Sequence, residues 1–517
     1  MPTLPTADVV VLIVYVLGVV AFGCWFVRRS RTPAGFMTAG GTLPGWAVGL
    51  SIFGTYLSSN TFIGVPGRAF GANWSFFVFS LSLPIAAVIG AKVFVPFYRR
   101  SGEISAYHHL EKRFGPWART YAAGCYLLAM IGRMATILYG VSLGVSVLTG
   151  FDLRAVIAVT GLLITLYTLL GGIAAVIWTD VVQSIVLMAG AVAIAGLLVL
   201  TMPGGPSQVI SIAADAGKFS LGSFDFDFAT ETFWAVLLYG VFSNLDNFGI
   251  KQSFVQRYHT ARSDAEARRA LYGGALLYLP VSLLFFFIGS SLFAYYHAPG
   301  NEALLADVRT EAAAPGQKPE TLEPRQYGDK VLPHFIRHKL PPGLAGLLIA
   351  AIVAAAMSSI DTSLNSSATV ILSDLYKRYV RPDADARRSL RVLRGSTVVW
   401  GALATGCALA MIGVESVLAV WWQISGIFSG ALLGLFLLGL IARRARGAEA
   451  ALGVAIGLVA IVYLTFSPHA TFLPAWLRSP IHTHLTVVLG TLTIFLTGLL
   501  ASRLRRRRKP SDPGHPA

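Results

Sequence analysis

Gly54-Thr55-Tyr56-Leu57-Ser58-Ser59-Asn60-Thr61-Phe62-Ile63-Gly64-Val65-Pro66-Gly67 decides the architecture. It closes a largely apolar stretch, 44–67, that is long enough to cross the ~30 Å of hydrocarbon in a bilayer. Yet four consecutive polar residues, Ser58 to Thr61, and a Pro-Gly pair stand where an unbroken apolar helix would run. Unwound backbone at membrane depth persists only where it lines protein or a cavity. Its freed carbonyls can bind a cation, and the flanking helix ends can face a charged solute. A second polar interruption, Ser243-Asn244-Leu245-Asp246-Asn247 followed by Gly249, lies five apolar spans further on. Broken helices at spans two and seven predict two five-helix halves, the second inverted because five is odd. Inverted repeats around a midplane site are typical of secondary transporters.

Composition sets the frame around those two breaks. The chain has 517 residues, 55% hydrophobic and only 13% charged, against about 25% charged in an ordinary soluble domain. A soluble, disordered, collagen-like or disulfide-framed protein is excluded. Cys24, Cys125 and Cys407 each lie in apolar sequence and read as small core residues, with no metal cluster. The apolar candidates for crossing are 8–27, 44–67, 75–98, 117–148, 155–172, 174–201, 233–250, 271–297, 343–373, 392–413, 417–441, 448–466 and 484–502. Thirteen transmembrane helices are therefore expected in an all-α polytopic membrane protein. The longest interruption, 298–342, reads as an external loop with a short helix. The first span has no basic leader and no cleavage site and runs straight into Arg28, Arg29 and Arg31, so it reads as a retained signal anchor.

Thirteen crossings place the termini on opposite sides. With the N-terminus outside, 29 of the 41 lysines and arginines fall on inner segments, as the positive-inside rule requires. The net charge of +16 then faces anionic lipid headgroups, and no nucleic acid is needed to explain it. The orientation expected is N-terminus outside and C-terminus cytoplasmic, in the cell membrane.

Ionisable groups deep in a bilayer are costly and so are functional suspects. Arg133, Asp180, Asp246 and Asp361 qualify; Lys92, Lys251 and Asp374 lie near span ends and read as snorkelling anchors. All ten histidines fall in loops or at span ends. His334 and His338 have helical i, i+4 spacing but read as ordinary residues of an exposed loop rather than a metal site. In the ninth span Ser358, Asp361, Thr362 and Asn365 share one helix face, widened by Ser359 and Ser363. Small polar residues alone read as interhelical hydrogen bonding; a carboxylate among them shifts the reading to a cation site, because a hard cation wants several oxygens and negative charge. Asp180 can meet this stripe from a neighbouring helix. Two buried carboxylates repel unless a cation sits between them or one is protonated. No phosphate-binding loop, nucleophile elbow or zinc-protease motif is present, so neither nucleotide-driven pumping nor enzymatic activity is expected.

Gly171-Gly172-Ile173-Ala174-Ala175-Val176-Ile177-Trp178-Thr179-Asp180-Val181-Val182-Gln183 resembles the most recognisable stretch of the sodium:solute symporter family. Ser253 to Tyr258, Ala354 to Ser359, Leu364-Asn365-Ser366 and Ser373-Asp374-Leu375-Tyr376 match as well. Within the family the look is that of bacterial sialic acid symporters, carried by Pro44-Gly45-Trp46-Ala47, Leu57-Ser58-Ser59 with Thr61-Phe62, Ile131-Gly132-Arg133 and Ala355 to Ile360. The resemblance implies one leading helix (8–27), a first five-helix repeat (44–201), an inverted second repeat (233–441), two trailing helices (448–502) and a basic cytoplasmic tail (503–517), all in one transporter domain. It implies a first sodium site from the carbonyls of Gly54, Leu57 and Ala355 with the hydroxyls of Ser358 and Ser359. A second is implied at Asp180, Ser358, Asp361 and Thr362. The solute carboxylate would be met by Ser58 and Thr61 with Arg133 nearby, in a pocket that also takes in Tyr56, Phe76 and Ser80; Asn60, Asn244 and Asp246 are further candidates.

Three positions depart from the sialic acid carriers. Tyr56 stands for a small hydroxyl residue, Ser80 for a glutamine and Asp361 for a serine. The tyrosine shrinks the pocket, the serine loses a polar reach, and the aspartate adds charge beside Asp180. The function expected is sodium-coupled import of a small, carboxylate-bearing organic solute: sialic acid, another sugar acid or a smaller acid. The alternative is proton coupling through Asp180 and Asp361, and a sensor or channel of the same fold is the more distant one. Sodium is the co-transported ion, no other cofactor is expected, and a monomer suffices.

Overall fold

The computed structural model describes residues 5–57, 59–313, 317–412, 431–470 and 473–507, and among them every regular element is helical. The chain runs through α1 (Thr6–Trp25), α2 (Gly45–Tyr56), α3 (Ser59–Gly71), α4 (Phe77–Ser101), α5 (Pro116–Thr149), α6 (Leu153–Leu200), α7 (Phe233–Ile250) and α8 (Gln252–Tyr258). It continues through α9 (Asp264–Tyr296), α10 (Glu302–Ala312), α11 (Pro324–Lys339), α12 (Leu344–Val370), α13 (Ala386–Ala410), α14 (Ala431–Ile441), α15 (Gly447–Phe466) and α16 (Leu485–Arg507).

Among the described residues nine helices are long and apolar enough to cross a membrane, fewer than the thirteen spans expected. The difference has definite sources. At 48 residues α6 would be ~72 Å long, over twice a bilayer's core, and it holds both the fifth and sixth expected spans. They are separated at Gly172, where φ is +57° and ψ −155°, a conformation left almost wholly to glycine. The second expected span is the pair α2 and α3, each too short to cross alone. The seventh is α7, continuous through Ser243–Asn247, so the break predicted there is misplaced. Hydrogen bonds absorb the polar residues within the helix, and the chain leaves helical geometry only at Lys251 (φ −73°, ψ 119°). Of the eleventh, 417–441, residues up to 430 lie outside the described residues and only α14 remains. Residues 508–517 of the tail lie outside them too.

Helix α12 is the axis of the molecule. Every residue from Leu348 to Val370 is buried, and the helix packs against α1, α5, α6 and α13. Its alanines and serines keep the profile thin, which lets neighbouring backbones approach where apolar lipid gives helices no hydrophobic reason to associate.

The connections gather at two ends. At one, the basic end, Arg99 pairs with Asp264 and Arg119 with Asp374 and Glu111. There Arg378 pairs with Glu111, Arg113 donates to the carbonyls of Gly439 and Ala442, and Arg505 pairs with Glu449. At the other, the vestibule end, Arg68 pairs with Glu231, the Lys218 ammonium caps the carbonyls of Phe70 and Ala72, and α11 lies against α3. Asp8, at the start of α1, accepts from the amides of Gly343 and Gly346. Asp374, read as a snorkelling anchor, is instead fully buried against Arg119 at 2.6 Å.

Candidate functional site

Two interrupted helices meet in the middle of the fold. After Tyr56, Leu57 is extended (φ −82°, ψ 115°) before the chain resumes as α3. After Ile250, Lys251 is extended before α8. The breaks are held together by side chains. The Tyr56 hydroxyl donates to Asn244 Oδ1 at 3.0 Å, and Asn244 Nδ2 donates to Ser82 Oγ at 3.0 Å. The Tyr56 ring sits edge-on to Phe248 and Phe254 and against Tyr278, with centroids 5.3–5.8 Å apart.

A cavity of about 2100 Å³ runs from these breaks to the vestibule end. Its deep wall carries Thr55, Tyr56, Arg133, Asp246, Asn247 and Lys251, while Arg68, Phe76, Glu231 and His484 line the approach. None of the ion pairs that tie the basic end together lines it. The deep charges are unequal. Lys251 Nζ is 3.4 Å from Asp246 Oδ2 and donates to Asn247 Oδ1 at 2.6 Å. Arg133 has a single hydrogen bond of 3.3 Å, to the Thr55 carbonyl, and no carboxylate partner among the described residues. Two cations thus face one carboxylate. Lys251, read from sequence as a snorkelling anchor, instead stands at the helix break and lines the cavity.

Beneath the Leu57 break lies a buried polar network. Arg257 Nη2 donates to Asp180 Oδ2 at 2.9 Å and to Thr362 Oγ1 at 2.7 Å, and its Nε donates to Ser51 Oγ at 2.8 Å. Ser51 in turn donates to Asp180 Oδ2 at 2.5 Å. Asp361 Oδ2 accepts from the Tyr167 hydroxyl at 2.7 Å. Ser358 Oγ donates to the Gly54 carbonyl at 3.2 Å and lies within reach of Asp180. A Cβ built on Gly54 would stand 3.7 Å from that of Asp180. Gly54, Ser358, Asp180 and Thr362 are therefore brought together, and Asp361 joins them through the helix face it shares with Ser358 and Thr362. Asp180 Oδ1 and Asp361 Oδ1 are buried with no hydrogen-bond partner, as is Ser359 Oγ on the same helix as Asp361; unpartnered carboxylate oxygens are what a cation would use.

The charge arithmetic differs from the two bare carboxylates read from sequence. Arg257 is fully buried and neutralises Asp180; counted by sequence as one of the basic residues of an inner segment, it belongs to the core. Its signal was present in the matching stretch Ser253–Tyr258, which folds as α8 with all seven residues buried.

Other expected residues are placed less centrally. The Ser80 hydroxyl is buried against Ser282 at 2.7 Å and does not line the cavity. Asn244 is consumed by Tyr56 and Ser82. Phe76 lines the approach under the Arg68 guanidinium at 4.1 Å. Thr61 lines the cavity and donates to the Tyr56 carbonyl at 3.3 Å. Ser58 and the side chain of Asn60 lie outside the described residues.

A model of the sodium:solute symporter family matches residues 36–457, and the sequence is 32% identical to the sodium/sialic acid symporter NanT of Aliivibrio fischeri over 98% of this chain and 95% of that one. The chain belongs to the sodium:solute symporter family. It is 29% identical to the human sodium-coupled monocarboxylate transporter 1 over 83% of this chain and 67% of the relative. The fold superposes with a TM-score of 0.85 on a solved Na+-coupled sialic acid symporter in a substrate-bound outward-open state, at 30% identity and covering 97% of this chain and 98% of that one. As a sodium:solute symporter the protein couples sodium to the transport of a small organic solute, and its polytopic helical architecture is that of the family.

Proposed function

We propose that the solute is a small carboxylate-bearing anion held between the two helix breaks by Arg133 and Lys251, with Tyr56, Thr61 and Ser58 shaping its site. The observation that carries this reading is the surplus of positive charge at the deep wall: Arg133 and Lys251 against Asp246 alone. An uncompensated guanidinium in a low-dielectric cavity favours an anionic partner, and its planar fork suits a carboxylate. The relatives named for sialic acid and for monocarboxylates support the same class. One sodium would use Gly54, Leu57, Ala355, Ser358 and Ser359; a second would use Asp180, Ser358, Asp361 and Thr362. The near-identical extended residues Leu57 and Lys251 support the inverted repeat of 44–201 and 233–441 between one leading and two trailing helices. The clustering of arginines at the basic end supports that end as cytoplasmic, with thirteen crossings and the N-terminus outside.

The coupling follows from where the groups stand. A sodium bound to the carbonyls at the Leu57 break and to the hydroxyls of α12 fixes the backbone that shapes the solute site. Sodium moving inward supplies ~2.3 kcal/mol per charge per 100 mV of membrane potential. Proteoliposomes with an inward sodium gradient, offered labelled sialic acid and short monocarboxylates in turn, test the reading. Accumulation of one acid that collapses without sodium, and that Arg133→Gln abolishes, is expected. Accumulation of only neutral or cationic solutes would overturn the carboxylate class while leaving sodium coupling intact.

Proton coupling has one observation in its favour: Asp361 is the carboxylate without a cationic partner among the described residues, held by the Tyr167 hydroxyl. Uptake driven by an inward proton gradient without sodium, and lost in Asp361→Ser, would establish it.

A further inference from the structure

The vestibule end carries a second cluster of ligating side chains, remote from the helix breaks and used by nothing described above. His334 and His338 lie one turn apart on α11, and Glu311 reaches them from α10. One ligating atom from each lies within 4.8 Å of the others. The two imidazoles overlap, with centroids 4.1 Å apart.

The hydrogen bonds of both rings leave the same nitrogen free. His338 Nδ1 is 3.0 Å from the His334 carbonyl, which can only accept. Nδ1 of His338 therefore carries the hydrogen, and its neutral Nε2 presents a lone pair. His334 Nδ1 is 2.7 Å from the Tyr296 hydroxyl. Its Nε2 is buried with no hydrogen-bond partner, in a side chain only 3% exposed, and an orphan of this kind calls for a reason. Ligating histidines almost always donate the other ring N–H to such a partner, which fixes the tautomer. Glu311, His334 and Arg337 all line the mouth of the large cavity, and His338 and Glu311 are exposed, so an ion reaches His334 from solvent.

We propose that Glu311, His334 and His338 form a divalent-metal site of the zinc type, with two imidazole nitrogens, one carboxylate oxygen and water as the fourth ligand. Two nitrogens and one oxygen with an open position suit zinc rather than calcium or magnesium, which take oxygen cages. Zinc–nitrogen distances of ~2.0–2.1 Å require the ligand atoms to draw together to ~3.3 Å, a shift that rotation of the exposed Glu311 and His338 supplies. The surrounding charge is mixed. Arg337 lies 3.8 Å from Glu311 Oε1, Lys330 donates to the Glu311 carbonyl, Lys339 stands nearby, and Asp307 offsets them. The metal must displace the Arg337 contact. Once bound, it ties α10 to α11. Helix α11 is in turn set against α3 by backbone contact so close that a Cβ on Gly328 would stand 2.3 Å from the Gly67 carbonyl. The metal thereby restrains the helix that leaves the Leu57 break.

The test is a cobalt(II) titration of the purified full-length protein, free of any histidine tag, followed by zinc competition. One equivalent with the absorption of a tetrahedral cobalt site, displaced by zinc, is expected. His338→Ala and Glu311→Gln, both at exposed positions, should weaken binding about tenfold or more, and Tyr296→Phe by about 10–100-fold through loss of the partner of His334. The other histidine–carboxylate cluster at this end, Glu231 with His482 and His484, has its carboxylate paired with Arg68, so His482→Ala should leave the titration unchanged. No cobalt binding by the wild type, unaltered binding in His338→Ala, or loss of binding in His482→Ala would each overturn the proposal. Because the readout is binding, its failure leaves the transport reading untouched.

Discussion

Arg257 shows how far a single residue can move the account of a membrane protein. A guanidinium fully buried against a carboxylate is tolerated because its own donors are met: Asp180, Thr362, Ser51 and the Ser253 carbonyl all accept from it. Removing it alone strands the Asp180 charge. Breaking one side of a buried pair costs ~3–5 kcal/mol, so Arg257→Gln is expected to lower the thermal midpoint markedly. High sodium should restore part of the loss, since a cation can then take the place of the guanidinium. Thermal unfolding of the variant with sodium and with choline checks this; equal midpoints in the two salts would mean that sodium does not visit Asp180. Asp180 and Asp361 were legible in sequence because carboxylates are rare in apolar spans. Arg257 was not, because it falls beyond the end of a span, among residues that ordinarily face water, and only tertiary packing turns α8 inward. At the deep wall the same scale of argument separates the two cations. Arg133→Lys keeps the charge and loses the fork, so solute affinity should fall about tenfold or more, each tenfold corresponding to ~1.4 kcal/mol. Lys251→Met leaves Asp246 unpaired in the same cavity and should lose uptake more completely. Solute titrations of both variants distinguish these outcomes.

The elements follow from where backbone is allowed to break. Gly172 divides α6 in a conformation that costs other residues ~1–3 kcal/mol, and a Cβ there would stand 2.9 Å from the Phe36 carbonyl and 3.0 Å from its Cα. Gly172→Ala is therefore expected to destabilise by more than the backbone term alone, seen as a lower yield of folded protein and a lower thermal midpoint. An unchanged midpoint would show that the turn can be remade with φ negative. The double glycine of this turn belongs to the stretch that resembles the family, and the gap between 155–172 and 174–201 falls at the turn. The break at 54–67 was legible for a different reason, the run of hydroxyls and amides that no lipid-facing helix carries. The one in α7 was misplaced by several residues, because Asn244 bonds sideways to Tyr56 and Ser82, and Asp246 Oδ2 pairs with Lys251, without unwinding the helix. Polar composition marks where a helix needs partners; it does not distinguish partners on neighbouring helices from partners supplied by a ligand.

At the scale of the molecule, the basic end is sealed while the opposite end is open. Asp374 is locked to Arg119, and Glu111 links Arg119 to Arg378, so the loop after α4 is fastened to the far end of the α12 axis. The cavity meets none of these ion pairs. On the proposed reading, a protein in this state would load solute and sodium from the vestibule and release neither at the other end. With sodium at the junction of α2 and α12 and the solute at Tyr56, Arg133 and Lys251, as proposed, each ligand would order backbone that the other contacts. Two ligands coupled in this way must raise each other's affinity by the same factor. Sodium at 100 times its dissociation constant should stabilise the folded protein by ~2.7 kcal/mol. Adding the acid should shift the sodium midpoint downward, by the factor with which sodium lowers the dissociation constant of the acid. Calorimetric titration of each ligand in the presence and absence of the other measures both factors. Arg119→Gln, which cuts the link between Asp374 and Glu111, should leave the two factors equal while lowering the gradient that vesicles can hold, because the basic end would then open without being fully loaded. Unequal factors in the wild type would mean that the two ligands do not share one conformational equilibrium; equal factors with an undiminished gradient in Arg119→Gln would mean that the seal lies elsewhere than in this arginine.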